Sequence, residues 1–113
     1  MIGYFFVADI LGFGNIVRNS NEVDLVARIN SWTTIVDSLA HQHGIDNIQL
    51  ISDTVFAYTE SSTAGLRKLV EFSRLLLNQG VQQSLPIRGA ITHGDFDWGR
   101  LTYGIAVITA HEL

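Results

Sequence analysis

Apolar residues in the first half of the chain follow two different spacings. Residues 4–10 form a continuous aromatic and β-branched run without a turn residue, which is typical of a short, fully buried strand. From Glu22 onward, apolar residues recur every three or four positions, and Asn21 and Gly44 are suited to begin and end a helix. The pattern therefore predicts a long amphipathic helix whose apolar face carries Leu25, Ile29, Trp32, Val36 and Leu39.

The second half of the chain predicts a hairpin, a second helix and a last strand. The runs "NIQLIS" and "TVFAYTE" read as two strands that meet at Ser52 and Asp53, residue types that favour tight turns. Ser62 is suited to cap a helix that ends at Gly80, with Leu66, Leu69, Val70, Leu76 and Leu77 on one face. Pro86 then opens the strand "IRGAITHG", which Gly94 closes.

The resulting order of elements is strand, helix, strand, strand, helix, strand. This is the ferredoxin-like βαββαβ pattern, an α+β fold in which an antiparallel sheet carries its helices on one face. In this arrangement the first and third strands are antiparallel neighbours at the centre of the sheet. We therefore expect the end of the first strand to lie beside the start of the third.

Composition limits the classes of function. The chain has 113 residues, 47% of them hydrophobic, which predicts one globular domain over residues 1–113. It contains no Cys, which excludes thiolate nucleophiles and Cys-based zinc sites. A formal net charge of −4 with scattered basic residues argues against a nucleic-acid partner. No signal peptide and no membrane-spanning run is recognisable, so we expect a cytoplasmic protein without a membrane partner.

This topology is expected to bring two carboxylates together as a candidate site. Asp9 lies at the end of the first strand and Asp53 at the start of the third, so their side chains are predicted to lie side by side. Two close carboxylates repel each other unless a cation lies between them, and oxygen ligands suit Mg²⁺ or Mn²⁺. The alternative is that Asp9 caps a helix beginning near Gly12 and that Asp53 only makes the hairpin turn.

Four segments, "VADILGFG", "LISDTVFA", "IRGAITHGDF" and "YGIAVITAHEL", together resemble the class III nucleotide cyclases in order and spacing. Within that superfamily, "DILGF", "SDT" and "RGAITHG" look most like the bacterial pyrimidine cyclases of the Pycsar antiphage systems, which make cyclic UMP or cyclic CMP. The resemblance implies the ferredoxin-like core, a nucleoside triphosphate substrate, and a homodimer whose active sites lie at the interface. It also implies two Mg²⁺ or Mn²⁺ ions in each site.

The resemblance assigns roles to individual residues. Asp9 and Asp53 would hold the two metal ions together with the backbone carbonyl of Ile10. The segment containing Gly12, Phe13 and Gly14 would offer backbone N–H groups to the phosphates. Gln49 would face the base, and Arg88 and Arg100 are candidates to stabilise the transferring phosphate. For Arg88, a structural pair with a nearby acid is the alternative.

Several positions depart from the family pattern. Ile108 and Glu112 occupy the positions at which familiar cyclases carry an Asn and an Arg that orient the ribose and bind phosphate. Leu101 lies near the position of the acid that helps to read adenine, which disfavours an adenylyl cyclase. The chain also stops at Leu113, earlier than such domains usually end, and is therefore interpreted as truncated at the C-terminus. The competing hypothesis is a catalytically silent cyclase-homology domain used for dimerisation or ligand sensing.

Overall fold

The sheet and its helices have the predicted order, with one additional helix. A computed structural model describes residues 2–95. The elements are β1 (Ile2–Ile10), α1 (Phe13–Asn19), α2 (Glu22–Gln42), β2 (Asn47–Ile51), β3 (Thr54–Glu60), α3 (Thr63–Gln82) and β4 (Ile87–Asp95). The four strands are antiparallel in the order β2-β3-β1-β4, so β1 and β3 are the central neighbours. The α+β fold and the strand adjacency expected from the sequence are confirmed.

Both predicted helix caps are present. The Asn21 side chain accepts a hydrogen bond from the Asp24 backbone N–H at 2.8 Å, and α2 begins at the next residue. Ser62 Oγ accepts from the Gly65 N–H at 3.0 Å at the start of α3. Each cap satisfies one of the backbone donors that a helix N-terminus leaves without an intrahelical partner. Sequence alone therefore located the beginning of both long helices.

The main core lies between the sheet and the two long helices. Alternating residues of β1 and β3 face α2 and α3, because successive strand side chains point to opposite faces of a sheet. The largest fully buried side chains in this layer are Trp32 of α2 and Phe72 of α3, and Phe72 meets Phe6 edge-on with ring centroids 5.7 Å apart. Phe5 and Val7 form a second cluster on the opposite face of the sheet.

The prediction for the helix after Ser62 is right for part of its buried face and wrong in its end. Val70 and Leu77, which the sequence assigned to the buried face, are 44% and 47% exposed. Leu69 and Leu76 are buried as predicted, together with Phe72, which the predicted face did not include. Gly80 does not end α3, which continues to Gln82. Gly80 instead packs against the backbone of Leu85, where any side chain would collide.

The hairpin between β2 and β3 has a two-residue turn. Ile51 pairs with Thr54, so Ser52 and Asp53 are the turn residues. Ser52 has a φ of 57°, in the left-handed region that residues other than Gly avoid. A tight hairpin often requires positive φ at its first central position, where Gly is preferred. The sequence predicted the turn but not this backbone strain beside Asp53.

Gly65 should tolerate no side chain, although it lies in the first turns of α3. A Cβ atom added there would collide with the Glu60 carbonyl oxygen, and the Gly65 carbonyl accepts a buried hydrogen bond from Thr59 Oγ1 at 2.8 Å. We expect Gly65→Ala to lower the free energy of unfolding by about 2 kcal/mol, since overpacking outweighs the helix propensity of Ala. Urea denaturation measures this change.

The matched control is Gly14→Ala in α1, where the nearest atom to an added Cβ is the end of the Arg18 side chain at 3.6 Å. We expect this change to be neutral or to stabilise by about 0.5 kcal/mol. Equal effects of the two substitutions would contradict the packing argument.

Ser52→Gly should stabilise the hairpin because Gly adopts positive φ without a steric penalty. We expect a gain of about 1 kcal/mol in the free energy of unfolding. Ser38→Gly on the exposed side of α2 is the opposite control and should lower stability by about 0.5 kcal/mol. A loss of stability in Ser52→Gly, measured by the same denaturation, would refute the assignment of strain to this turn.

Candidate functional site

The start of β3 lies against the end of β1, as the topology predicted. Asp53 Oδ2 accepts a hydrogen bond from the Ile10 backbone N–H at 3.3 Å, and Asp53 Oδ1 lies 3.5 Å from Thr54 Oγ1. Ile10 immediately follows Asp9 in the chain. The carboxylate of Asp53 therefore lies beside the peptide that joins Asp9 to Ile10, although the two acids are far apart in sequence.

On its other side, Asp9 is paired with a base. Arg88 of β4 lies directly opposite Asp9 of β1, and Arg88 Nε donates to Asp9 Oδ1 at 3.0 Å. The side chains are 72% exposed for Arg88 and 32% exposed for Asp9, so water reaches the pair. The idea that Asp9 caps a helix is wrong, because the N-cap of α1 is Gly12. The pairing of Arg88 with an acid, left open by the sequence, is what the structure shows.

A close contact between β1 and β4 accompanies this pair. A Cβ atom added at Gly89 would lie 2.7 Å from the Val7 carbonyl oxygen and 2.9 Å from the Ala8 Cβ. The residue after Arg88 must therefore be Gly for the two strands to approach this closely. The sequence did not identify Asp9 as the partner of Arg88. The Gly that follows Arg88 in "IRGAITHG" was the one local sign of a close strand contact at this point.

The segment proposed to bind phosphate forms the start of α1. Gly12 has a φ of 72° and no side-chain cap, and Phe13 is half-buried against the main core. The Gly12 carbonyl accepts from the N–H groups of Asn15 and Ile16 at 3.0 and 3.1 Å. Because these two N–H groups already donate to the Gly12 carbonyl, α1 can offer a ligand only the N–H groups of earlier residues, which include Gly14.

Gln49 shares a sheet face with Asp9. Gln49 pairs with Phe56, Phe56 pairs with Val7, and Val7 alternates with Asp9 on the face that turns away from α2 and α3. From the usual strand spacing and rise per residue, the Gln49 and Asp9 backbones are about 12 Å apart. The structure thus places the proposed base contact and one proposed metal ligand on the same face, separated by β3.

The donor set fits a magnesium-like ion better than a closed protein cage. Within residues 2–95, no group of three or more acidic, His or Cys side chains could hold a metal. Mg²⁺ is usually held by one or two carboxylates together with substrate phosphates, and Asp9 and Asp53 supply that number. In an extended strand the N–H and C=O of one residue point the same way, so we expect the Ile10 carbonyl on the side of Asp53.

Several sequence-based assignments fall beyond the described part of the chain. Arg100, proposed as a catalytic cation, lies outside residues 2–95. The same applies to Leu101 and to the departures from the family pattern at Ile108 and Glu112. The described part of the candidate site therefore consists of Asp9, Asp53 and their neighbours.

A second polar contact lies at the opposite end of the sheet. Ser61 Oγ and His93 Nε2 are 2.7 Å apart, and the His93 ring lies 4.7 Å from the ring of Tyr4. The fold brings Ser61 and His93 together although they are 32 residues apart in the chain. A tilted ring contact and a hydrogen bond are sufficient to account for this arrangement structurally.

Among residues 2–95, no helix combines the length and the apolar character needed to cross a membrane. No family model and no curated protein sequence matches the chain.

Solved structures with the same fold are catalytic domains of nucleotide cyclases. A bacterial light-regulated adenylyl cyclase superposes with a TM-score of 0.80 at 16% identity, over 99% of this chain and 69% of that one. The guanylate cyclase domain of RhGC from Catenaria anguillulae, in complex with GTP, gives 0.78 at 19% identity, over 97% and 70%.

The guanylyl cyclase domain of the RhoGC fusion protein from Blastocladiella emersonii has been solved in a dimeric and in a monomeric form. The TM-scores are 0.81 and 0.82, both at 19% identity and over 98% of this chain, and over 71% and 72% of theirs. At these identities the comparison establishes the fold. Residues 2–95 of the chain accordingly have the core fold that adenylyl and guanylyl cyclase catalytic domains share.

Proposed function

We propose that this chain is a nucleotide cyclase that converts a nucleoside triphosphate into a 3′,5′-cyclic nucleotide and pyrophosphate. The observation that carries the proposal is the hydrogen bond from the Ile10 N–H to Asp53, next to Asp9. It brings acidic residues from the two central strands to one end of the sheet, in a fold shared with cyclase catalytic domains. The two carboxylates meet the oxygen-ligand requirement of a Mg²⁺ or Mn²⁺ site.

In this proposal, Asp9, Asp53 and the Ile10 carbonyl hold two divalent ions. When bound, the ions would lower the pKa of the ribose 3′-hydroxyl and neutralise charge on the triphosphate. The protein contributes orientation, because Asp9 lies in β1 and Asp53 lies in the turn that leads into β3, the strand paired with β1. Such fixed positioning accounts for much of the rate in phosphoryl transfer, where little covalent chemistry falls to the protein.

Phosphate binding is assigned to backbone and cationic groups. The Gly12, Phe13 and Gly14 segment offers backbone N–H groups at the start of α1. Arg88 lies at the same end of the sheet as Asp9, so its guanidinium is available to a triphosphate bound there. Arg100 is the second candidate cation.

Base selection is assigned to Gln49, whose amide can both donate and accept hydrogen bonds. Together with Leu101, it replaces the charged pair expected of an adenine-reading site. We therefore propose UTP or CTP as the substrate and a role in bacterial antiphage signalling, in line with the motifs that resemble Pycsar cyclases. The base-side residues would come from one subunit of a homodimer and the metal aspartates from the other.

A catalytically silent domain is the second candidate function, and a specific observation favours it. Asp9 is ion-paired with Arg88, and Ile108 and Glu112 replace the residues expected to orient ribose and bind phosphate. A silent domain would retain the dimer or bind a nucleotide without turning it over.

Incubation of the full-length protein with UTP, CTP, ATP or GTP and Mn²⁺ should yield cyclic product from UTP or CTP. Asp9→Ala or Asp53→Ala should reduce the rate by about a thousandfold or more, because each removes a ligand of the ions that stabilise the transition state. Mass spectrometry of the 3′,5′-cyclic product is the measurement. Asp37→Ala, an exposed acid on α2, is the matched control and should retain activity.

Product from ATP alone would refute the pyrimidine assignment. Nucleotide binding without product from any of the four substrates would favour the silent domain.

Mixing two inactive variants tests whether the site is shared between subunits. Asp53→Ala removes a metal ligand, and Gln49→Trp fills the place proposed for the base. If each site takes Asp53 from one chain and Gln49 from the other, mixed dimers contain one intact site, and activity should return to roughly a quarter of wild type. Light scattering should give about twice the 12.5 kDa chain mass. A strict monomer in nucleotide and Mn²⁺, or no recovery on mixing, would refute the shared site.

A further inference from the structure

The ion pair between Asp9 and Arg88 has a definite structural origin. The two residues are opposite partners on β1 and β4, and Arg88 Nε lies 3.0 Å from Asp9 Oδ1. Register alone brings the side chains together on one face of the sheet, because directly opposed residues on neighbouring strands point the same way. The sheet itself therefore positions Arg88 at Asp9.

Asp9 consequently has an acid near one side and a base on the other. The Asp53 carboxylate lies against the Ile10 N–H toward β3, whereas the Arg88 guanidinium approaches from β4. The guanidinium partly neutralises Asp9 where a second carboxylate is close. In this respect Arg88 does for Asp9 what a bound cation would do.

A metal ion and the guanidinium cannot both occupy this position without repulsion. A Mg²⁺ ligand bond is about 2.0 to 2.1 Å long, so an ion on Asp9 would lie within a few ångströms of the Arg88 side chain. Because Arg88 is 72% exposed, its guanidinium can rotate into water with little loss. A divalent ion can therefore replace the Arg88 guanidinium at Asp9 without a steric clash, and its higher charge favours the exchange electrostatically.

We propose that Arg88 is the internal counter-ion of Asp9 and that a divalent cation must displace it in order to bind. This inference rests on the metal site of the proposed function and adds a residue that sets its affinity. Arg88 lowers the affinity of the site for metal, because its ion pair with Asp9 must be broken before the ion binds. Metal occupancy and the position of Arg88 are therefore coupled.

Mn²⁺ binding to the full-length protein, measured by calorimetry without nucleotide, tests the competition. Arg88→Ala should bind Mn²⁺ about three- to tenfold more tightly than wild type, the range expected for loss of one nearby, water-screened positive charge. Arg88→Lys keeps the charge and should stay closer to wild type. Asp9→Ala should abolish both the binding and the effect of Arg88→Ala.

Arg74→Ala is the matched control. Arg74 is also an exposed arginine in an ion pair, with its Nη2 2.9 Å from Glu71 Oε2 on α3, and its guanidinium lowers the pKa of the Glu71 carboxyl. The substitution removes the same charge from the protein away from Asp9, so Mn²⁺ affinity should not change. Tighter binding in Arg74→Ala as well would attribute the effect to net charge and overturn the proposal.

A spectroscopic measurement detects the displacement itself. In a Mg²⁺ titration followed by proton–nitrogen NMR, the Arg88 Nε–H signal should shift with the same midpoint as metal binding, and the Arg74 Nε–H signal should not. If wild type binds metal but Arg88→Ala binds equally or more weakly, the counter-ion role is refuted and the metal site stands. If neither wild type nor Arg88→Ala binds metal, both the inference and the proposed metal site fail.

Discussion

The pairing register of β1 determines most of what is distinctive about this molecule. β1 is central, with β3 on one side and β4 on the other, and both pairings are antiparallel. A slip of one residue would turn Phe6 and Ala8 away from the helices and move Asp9 to the core face. The same register that buries the core therefore brings Asp9 opposite Arg88 and near Asp53. Packing and site geometry are consequences of one set of hydrogen bonds.

The elements that sequence predicted well are those decided by short-range chemistry. Asn21 and Ser62 cap the helices because their side chains reach the backbone three residues on. The contact of Asp53 with the end of β1 followed from topology, since a ferredoxin-like order fixes which strands are neighbours. The hairpin turn at Ser52 was also recognisable. Its positive φ was not, because that angle depends on how the two strands close rather than on the residue itself.

The errors arose where tertiary contacts choose between local alternatives. On α3, Val70 and Leu77 are as apolar as Leu69 and Leu76, so periodicity permits either face, and Phe72 packing against Phe6 selects one. Gly80 looks like a helix stop but is required for close packing against Leu85. The partner of Arg88 was open for the same reason: strand order does not specify register. The fold does not determine which nucleotide binds, because proteins that share a fold at under one-fifth identity have similar backbones but different side chains.

The desolvation free energy of an acidic residue at the end of this apolar strand is smaller than the sequence suggests. Asp9 is one-third exposed, so it is not the desolvated charge that its neighbours Val7 and Ala8 would imply. Asp53, for its part, accepts a hydrogen bond from the Ile10 N–H. Each acid thus has a partner within the chain, the Arg88 guanidinium for Asp9 and the Ile10 backbone N–H for Asp53. The fold can therefore carry two acidic residues at this end of the sheet, because Arg88 and a backbone amide offset part of the repulsion between them.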